Sequence, residues 1–224
     1  MHDAMRRRIL MLAASGALGA GGLSGFMSRA LASGDLPKTS QVHRLEGSAT
    51  VNGEAAKVGT PVKAGDRVAT GASSQAVVVL GQDAFLLREK TAVELRGRES
   101  TLTELLISGG KVLSVFSKKP VTIKAATATI GIRGTGAYLE VDDADVYFCL
   151  CYGEAVLQGP GMADKVVKTT HHEQPLLVRA GLGTTTADAA GFKNHSDDEL
   201  ILLESLVGRE PPFMKGGAYP AKRY

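Results

Sequence analysis

Apolar and polar residues alternate almost without interruption over residues 110–152, and β-branched residues occupy positions that strands favour. Strands are therefore expected on both sides of one glycine-dense turn, Gly131-Ile132-Arg133-Gly134-Thr135-Gly136. Shorter runs repeat the pattern upstream. Residues 42–46 and 49–52 predict a hairpin about Gly47, and Asn52-Gly53 is a second turn signal. Residues 75–80, bounded by Gly71 and Gly81, read as a buried strand, with 84–88 returning beside it. Residues 91–95 alternate again, 102–107 lead through Gly109-Gly110 into 111–116, and 121–125 follow Pro120. Turn signals at roughly 8–12-residue spacing predict an all-β sandwich or rolled sheet of many short strands. No period is regular enough for a repeat array.

The pattern changes near the C-terminus. Ser196 and Glu199 fit the capping box Ser-x-x-Glu. Asp197 and Asp198 suit a helix N-terminus through its dipole, Gly208 suits its C-terminal stop, and Pro211-Pro212 prevents continuation. One C-terminal helix at about 197–207 is expected, packing an apolar face on the sheet. The tail 216–224 is expected to be loosely ordered.

The first 32 residues read as an export signal that is removed. Arg6, Arg7 and Arg8 precede a Gly/Ala-rich apolar run, and Ala30-Leu31-Ala32 offers a small-residue cleavage site. Arg6-Arg7-Arg8-Ile9-Leu10 resembles the twin-arginine pattern Arg-Arg-x-Phe-Leu, with a general secretory leader as the alternative. A periplasmic or extracellular location follows, with no permanent membrane span after cleavage, since no second apolar stretch of that length occurs. Residues 33–40 are a polar linker containing Pro37. The formal net charge of +3 comes from the leader. Residues 1–32 hold four of the 26 basic and one of the 23 acidic residues, leaving 22 of each beyond them. No basic surface is implied, so no nucleic-acid partner is expected.

Four segments carry a family resemblance: Gly65-Asp66-Arg67-Val68-Ala69-Thr70-Gly71, Ser74-Gln75-Ala76-Val77-Val78-Val79-Leu80, Leu106-Ile107-Ser108-Gly109-Gly110-Lys111-Val112, and the run from Val121 through Ile132-Arg133-Gly134-Thr135. Together they resemble the FecR domain, an extracytoplasmic all-β module, over residues 41–160. Residues 161–224 would be a C-terminal extension carrying the helix. The resemblance implies a periplasmic or surface β module. Regulators of that family carry a cytoplasmic anti-sigma segment before a single membrane span. Here only Met1 to Met5 precede the arginines, so direct contact with a sigma factor is not expected.

Gly131-x-x-Gly134-x-Gly136 has neither the order nor the strand-to-helix flanks of a dinucleotide loop and reads as a structural turn. No nucleophile or general-base motif is present, so no enzyme is predicted. Cysteine and histidine are more informative. Cys149 and Cys151 are the only cysteines. On a strand, Tyr147, Cys149 and Cys151 would share one face, and Val146, Phe148, Leu150 and Tyr152 the other. Their Cα atoms would lie roughly 6.6 Å apart, near the upper limit for a disulfide. Two readings remain: small apolar packing, or metal ligation by two thiolates. His171 and His172 end a strand expected at 165–170. As strand neighbours they would face opposite ways, so one at most would join the cysteines. His195 precedes the helix cap. Cys149, Cys151, His195 and one of His171 or His172 form a candidate set for Zn²⁺ or copper.

The reading that follows is an exported, non-enzymatic FecR-type β domain that binds or senses a ligand, an envelope protein or a glycan. The alternatives are a small periplasmic metal-binding or redox protein using the Cys/His cluster, and a structural module of an envelope assembly.

Overall fold

The computed structural model describes residues 40–214. The leader, the linker short of Ser40 and the tail 216–224 lie outside the described residues. The chain folds into β1 (Gln41–Glu46), β2 (Ala49–Val51), β3 (Glu54–Ala55), β4 (Arg67–Thr70), β5 (Gln75–Leu80), β6 (Asp83–Leu87) and β7 (Ala92–Arg98). There follow β8 (Thr101–Val115), β9 (Pro120–Ala125), β10 (Ala128–Arg133), β11 (Gly136–Asp142) and β12 (Asp145–Gln158). Next come β13 (Lys165–Thr169), β14 (Leu176–Ala180) and β15 (Thr185–Ala189). The helix α1 (Asp197–Leu206) and a 3₁₀ turn at Pro212–Met214 complete it. The all-β class with one C-terminal helix agrees with the alternation and the capping box.

The strands form two sheets that share two members. In the first, the order is β1-β5-β6-β8-β11-β12-β14-β15. In the second it is β3-β2-β4-β7-β8-β9-β10-β12-β13. Only the β8–β9 pairing is parallel among the described strands. The shared strands are the long ones, and each changes partners at a glycine. β8 leaves β7 and β9 for β6 and β11 at Gly109-Gly110. β12 leaves β11 and β14 for β10 and β13 at Gly153. Gly110 has φ +92° and Gly153 φ +102°, a region that other residues rarely adopt. A Cβ at Gly110 would also lie 2.5 Å from the Thr91 Cα. These corners roll the sheets over one core, in which Val78, Phe85, Leu105, Ile123, Phe148 and Leu150 are buried together.

Two local expectations are corrected. Residues 42–46 and 49–52 do not form a hairpin with each other. β1 pairs with β5, and β2 pairs with β3 and β4. Gly47 and Ser48 form a corner between the sheets, where the Ser48 amide donates to Ser74 Oγ at 2.9 Å. The tight turn is Asn52-Gly53, with φ +55° and +87°, joining β2 to β3. The second correction is Tyr152. The β11–β12 register shifts at Gly136/Ala137, where Tyr152 and Leu150 are the successive partners and Cys151 is the extra residue. Such a bulge re-aims the side chains beside it. Tyr152 therefore turns to the cysteine side, and its hydroxyl donates to Glu204 of α1.

The outward face of the first sheet is covered too. Leu86, Leu113, Tyr138 and Cys149 are buried there, outside the core between the sheets. Helix α1 lies against β6 and β8. Eight of its ten residues are buried, so more than one stripe is enclosed. This third layer contains the Cys/His set.

Candidate metal centre

Cys149 and Cys151 lie on β12, just before its bend, and both thiols face outward from the first sheet towards the C-terminal segment. Both are fully buried and free of any disulfide. The two histidines beside them arrive on segments without regular structure. Chain reversal after β13 brings His172 back, its amide donating to the Cys151 carbonyl at 3.0 Å. His172 has φ +60°, so the strand geometry expected for 171 and 172 is broken. Both rings consequently turn to the same side, with centroids 4.9 Å apart, instead of facing opposite ways. His195 sits immediately before the helix cap Ser196, whose side chain and that of Glu199 complete the capping box.

One ligand atom each from Cys149, Cys151, His172 and His195 lies within 4.8 Å of all the others, and all four residues are buried. Cys149 Sγ is 3.6 Å from His172 Nδ1. His195 Nε2 is 3.2 Å from the same nitrogen. Each ring has its other nitrogen engaged outward. His172 Nε2 donates to Asp197 Oδ1 at 3.0 Å, and His195 Nδ1 donates to the Lys193 carbonyl at 2.8 Å. Since a carbonyl and a carboxylate only accept, these bonds fix the tautomers and turn both lone pairs towards the thiols. Two lone pairs 3.2 Å apart beside a thiolate require a cation among them, either a proton or a metal ion.

The electrostatics agree. The Cys149 thiol is held well below its ordinary range, first by the hydrogen bond from Cys151 and then by His172 and His195, against the opposing effect of burial. Burial and the Cys149 charge push Cys151 up. His172 feels burial lowering it, yet Asp197 and Cys149 raise it to about 8. Without metal the cluster thus holds a thiolate beside an imidazolium. A divalent ion would displace the protons from Cys151 and His172.

His171 is not among the four. Its Nε2 donates to the same Asp197 oxygen at 2.8 Å, and its ring lies on Phe213 with centroids 4.5 Å apart. Aromatic rings close the remaining sides. Tyr138 stacks on His195 with centroids 4.5 Å apart and 21° between planes, and Phe192 meets the edge of His172 at 4.7 Å. Ion pairs and hydrogen bonds fasten the incoming segment. Glu140 of β11 accepts from Lys193 Nζ and Asn194 Nδ2, both at 2.6 Å. Arg88 donates to the Asn194 carbonyl at 2.7 Å and to Glu199 at 2.9 Å.

Sequence reasoning missed Asp197, which it placed at the helix start for its charge alone. A carboxylate two residues after a candidate ligand was the available signal, because metal-bound imidazoles commonly donate to carboxylates. Nothing in the sequence pointed to the Lys193 carbonyl.

No family model matches the chain, and no curated protein matches it. Two solved structures from Parabacteroides distasonis ATCC 8503, provisionally assigned as anti-sigma factors and determined at 1.65 and 2.50 Å, are similar to it. Each has a TM-score of 0.46, with 10% and 12% identity. The chain spans 59% of those chains, over 55% of its own length.

Proposed function

We propose that this chain is an exported, non-enzymatic FecR-type β domain that binds one Zn²⁺ ion at Cys149, Cys151, His172 and His195 and serves as a binding module in the cell envelope. The observation that carries the metal reading is the convergence of four buried ligand atoms whose histidine tautomers are already set for ligation. A tetrahedral ion at about 2.3 Å from sulfur and about 2.05 Å from nitrogen sets S···N edges of about 3.5 Å and N···N edges of about 3.3 Å. The Cys149 Sγ to His172 Nδ1 edge is 3.6 Å, the His172 Nδ1 to His195 Nε2 edge is 3.2 Å, and the other edges lie within 4.8 Å.

Charge selects among metals. Two thiolates and a divalent ion sum to zero, which suits a fully buried site, whereas Cu⁺ would leave a net negative charge beside the buried Asp197 carboxylate. Cu²⁺ prefers a tetragonal arrangement. Four protein ligands leave no open position for a substrate, which is the pattern of a structural zinc site and supports a non-enzymatic role. The FecR reading rests on the sequence segments around the turn at Gly134, and export rests on the arginines and Ala30-Leu31-Ala32.

Elemental analysis of the mature protein, taken from the envelope fraction, tests the metal reading. One zinc per chain is expected, and none after Cys149→Ser with Cys151→Ser. Co²⁺ substitution should give the intense visible bands of tetrahedral thiolate coordination. Stoichiometric metal in the double variant would overturn the ligand set. N-terminal sequencing should begin near Ser33, and an intact Met1 in the membrane fraction would refute cleavage.

A further inference from the structure

We propose that His171, His172 and Asp197 form a second, more accessible metal site that captures the ion and passes it to the buried four-ligand centre. The proposal rests on the zinc reading above and assigns the route by which that centre is loaded.

The four ligands of the inner centre are shut off from solvent. Cys149 and Cys151 are 0% exposed, His172 5% and His195 7%. A bare ion cannot reach them without passing other groups first. One nitrogen each from His171 and His172 and one Asp197 oxygen lie within 4.8 Å of one another. Asp197 Oδ1 receives His171 Nε2 at 2.8 Å and His172 Nε2 at 3.0 Å. Of these three side chains only that of His171 reaches solvent appreciably, at 20% exposure against 1% for His172 and 4% for Asp197. The group therefore extends inward from a surface histidine.

Its inner end is His172, which belongs to both groups. Its Nε2 faces Asp197 and His171, and its Nδ1 faces Cys149 and His195. The two sites thus lie on opposite edges of one imidazole ring. The chemistry also runs in one direction. Two imidazoles and a carboxylate bind Zn²⁺ or Co²⁺ with three protein ligands and leave room for water, so exchange there is easy. Two thiolates and two imidazoles complete a tetrahedron and hold a borderline-soft ion more strongly. An ion captured at the outer group takes the place of the two Nε2 hydrogens directed at Asp197: the His172 imidazolium releases one proton to solvent, and His171 shifts its hydrogen to Nδ1 through water. On transfer the thiolates replace water and carboxylate, His172 Nε2 takes a proton back from solvent, and His172 Nδ1 and Cys151 release theirs to it.

Stopped-flow mixing of metal-free full-length protein with Co²⁺ tests this, with the thiolate-to-cobalt band reporting arrival at the inner centre. In His171→Ala the second-order rate of band growth should fall at least about tenfold, while the final spectrum and the stoichiometry of one ion stay as in wild type. His171→Gln keeps an amide that donates to Asp197 but ligates poorly, so it separates ligation from hydrogen bonding. It should load as slowly as His171→Ala. Wild-type loading rates in both variants would overturn the capture site. So would slow loading in His171→Ala that His171→Gln restores, because His171 would then only position Asp197. Failure of wild type to develop the band at all would sink the zinc reading itself, and the capture site with it.

Discussion

Asp197→Asn keeps the side chain's size and removes its charge, and its consequence follows from the position of that carboxylate behind His172. The carboxylate accepts from His172 Nε2 at 3.0 Å, opposite the ligating Nδ1. It holds the ring's orientation and makes the lone pair more basic. Replacement of such a partner typically weakens metal binding 10–100-fold, or about 1.4–2.7 kcal/mol. An asparagine oxygen still accepts, but without the charge. Loss of a negative charge at the helix start costs a further 0.3–1 kcal/mol or so in stability. Asp198 isolates that contribution, because it shares the first turn of α1 but is exposed and is not part of the His171–His172–Asp197 group. Competition against a chromophoric chelator should therefore give a zinc Kd raised about 10–100-fold in Asp197→Asn and nearly unchanged in Asp198→Asn. Equal Kd values for wild type and Asp197→Asn would refute the coupling of the carboxylate to the ligand. Equal losses in both variants would assign the effect to the helix dipole.

Two other outcomes are expected. Gly134 has φ +64° between β10 and β11, and an added Cβ would meet Lys118 Cγ, the middle of a flexible side chain, at 3.3 Å. The cost of Gly134→Val is then mainly conformational, about 1–3 kcal/mol, and an unchanged melting temperature would exclude it. Glu140 titrates below the ordinary 4.5: burial opposes this, but Lys193, Asn194 and Tyr138 outweigh it. Its stabilisation is present above 4.5 and is lost as pH falls through the lowered value. Glu140→Gln should accordingly flatten the loss of stability as pH falls below 4.5, and identical pH profiles would contradict the assignment.

The strands were legible as unbroken apolar runs where both faces are covered, and as alternation where one face meets solvent. β5 and β6 stand out as short apolar runs around Gly81, and β7 as an alternation. Their pairing was less legible. Gly47 looks like a hairpin turn because local sequence does not reveal that Ser48 will bond to Ser74, 26 positions away. The division of β8 and β12 between two sheets was likewise hidden, because Gly109-Gly110 and Gly153 fit a turn as well as a bend within one strand.

The candidate site shows the same division more sharply. Residue type and the period of two were enough to bring Cys149 and Cys151 to one face. Period could not place the histidines, because neither arrives on a regular element. His172 depends on a left-handed backbone and one amide bond to Cys151. The His195 segment depends on Arg88 and Glu140, two charges on strand-side positions that read as ordinary solvated residues. Both are contacts between distant parts of the chain that satisfy polar groups before any ion is considered. They would hold His195 near the thiols even in metal-free protein, with the protons on His172 and Cys151 occupying the role of the cation. Preorganisation of this kind lowers the ordering cost that metal binding has to meet. It also means that breaking the Arg88 or Glu140 contacts should weaken metal binding although neither residue touches the four ligands.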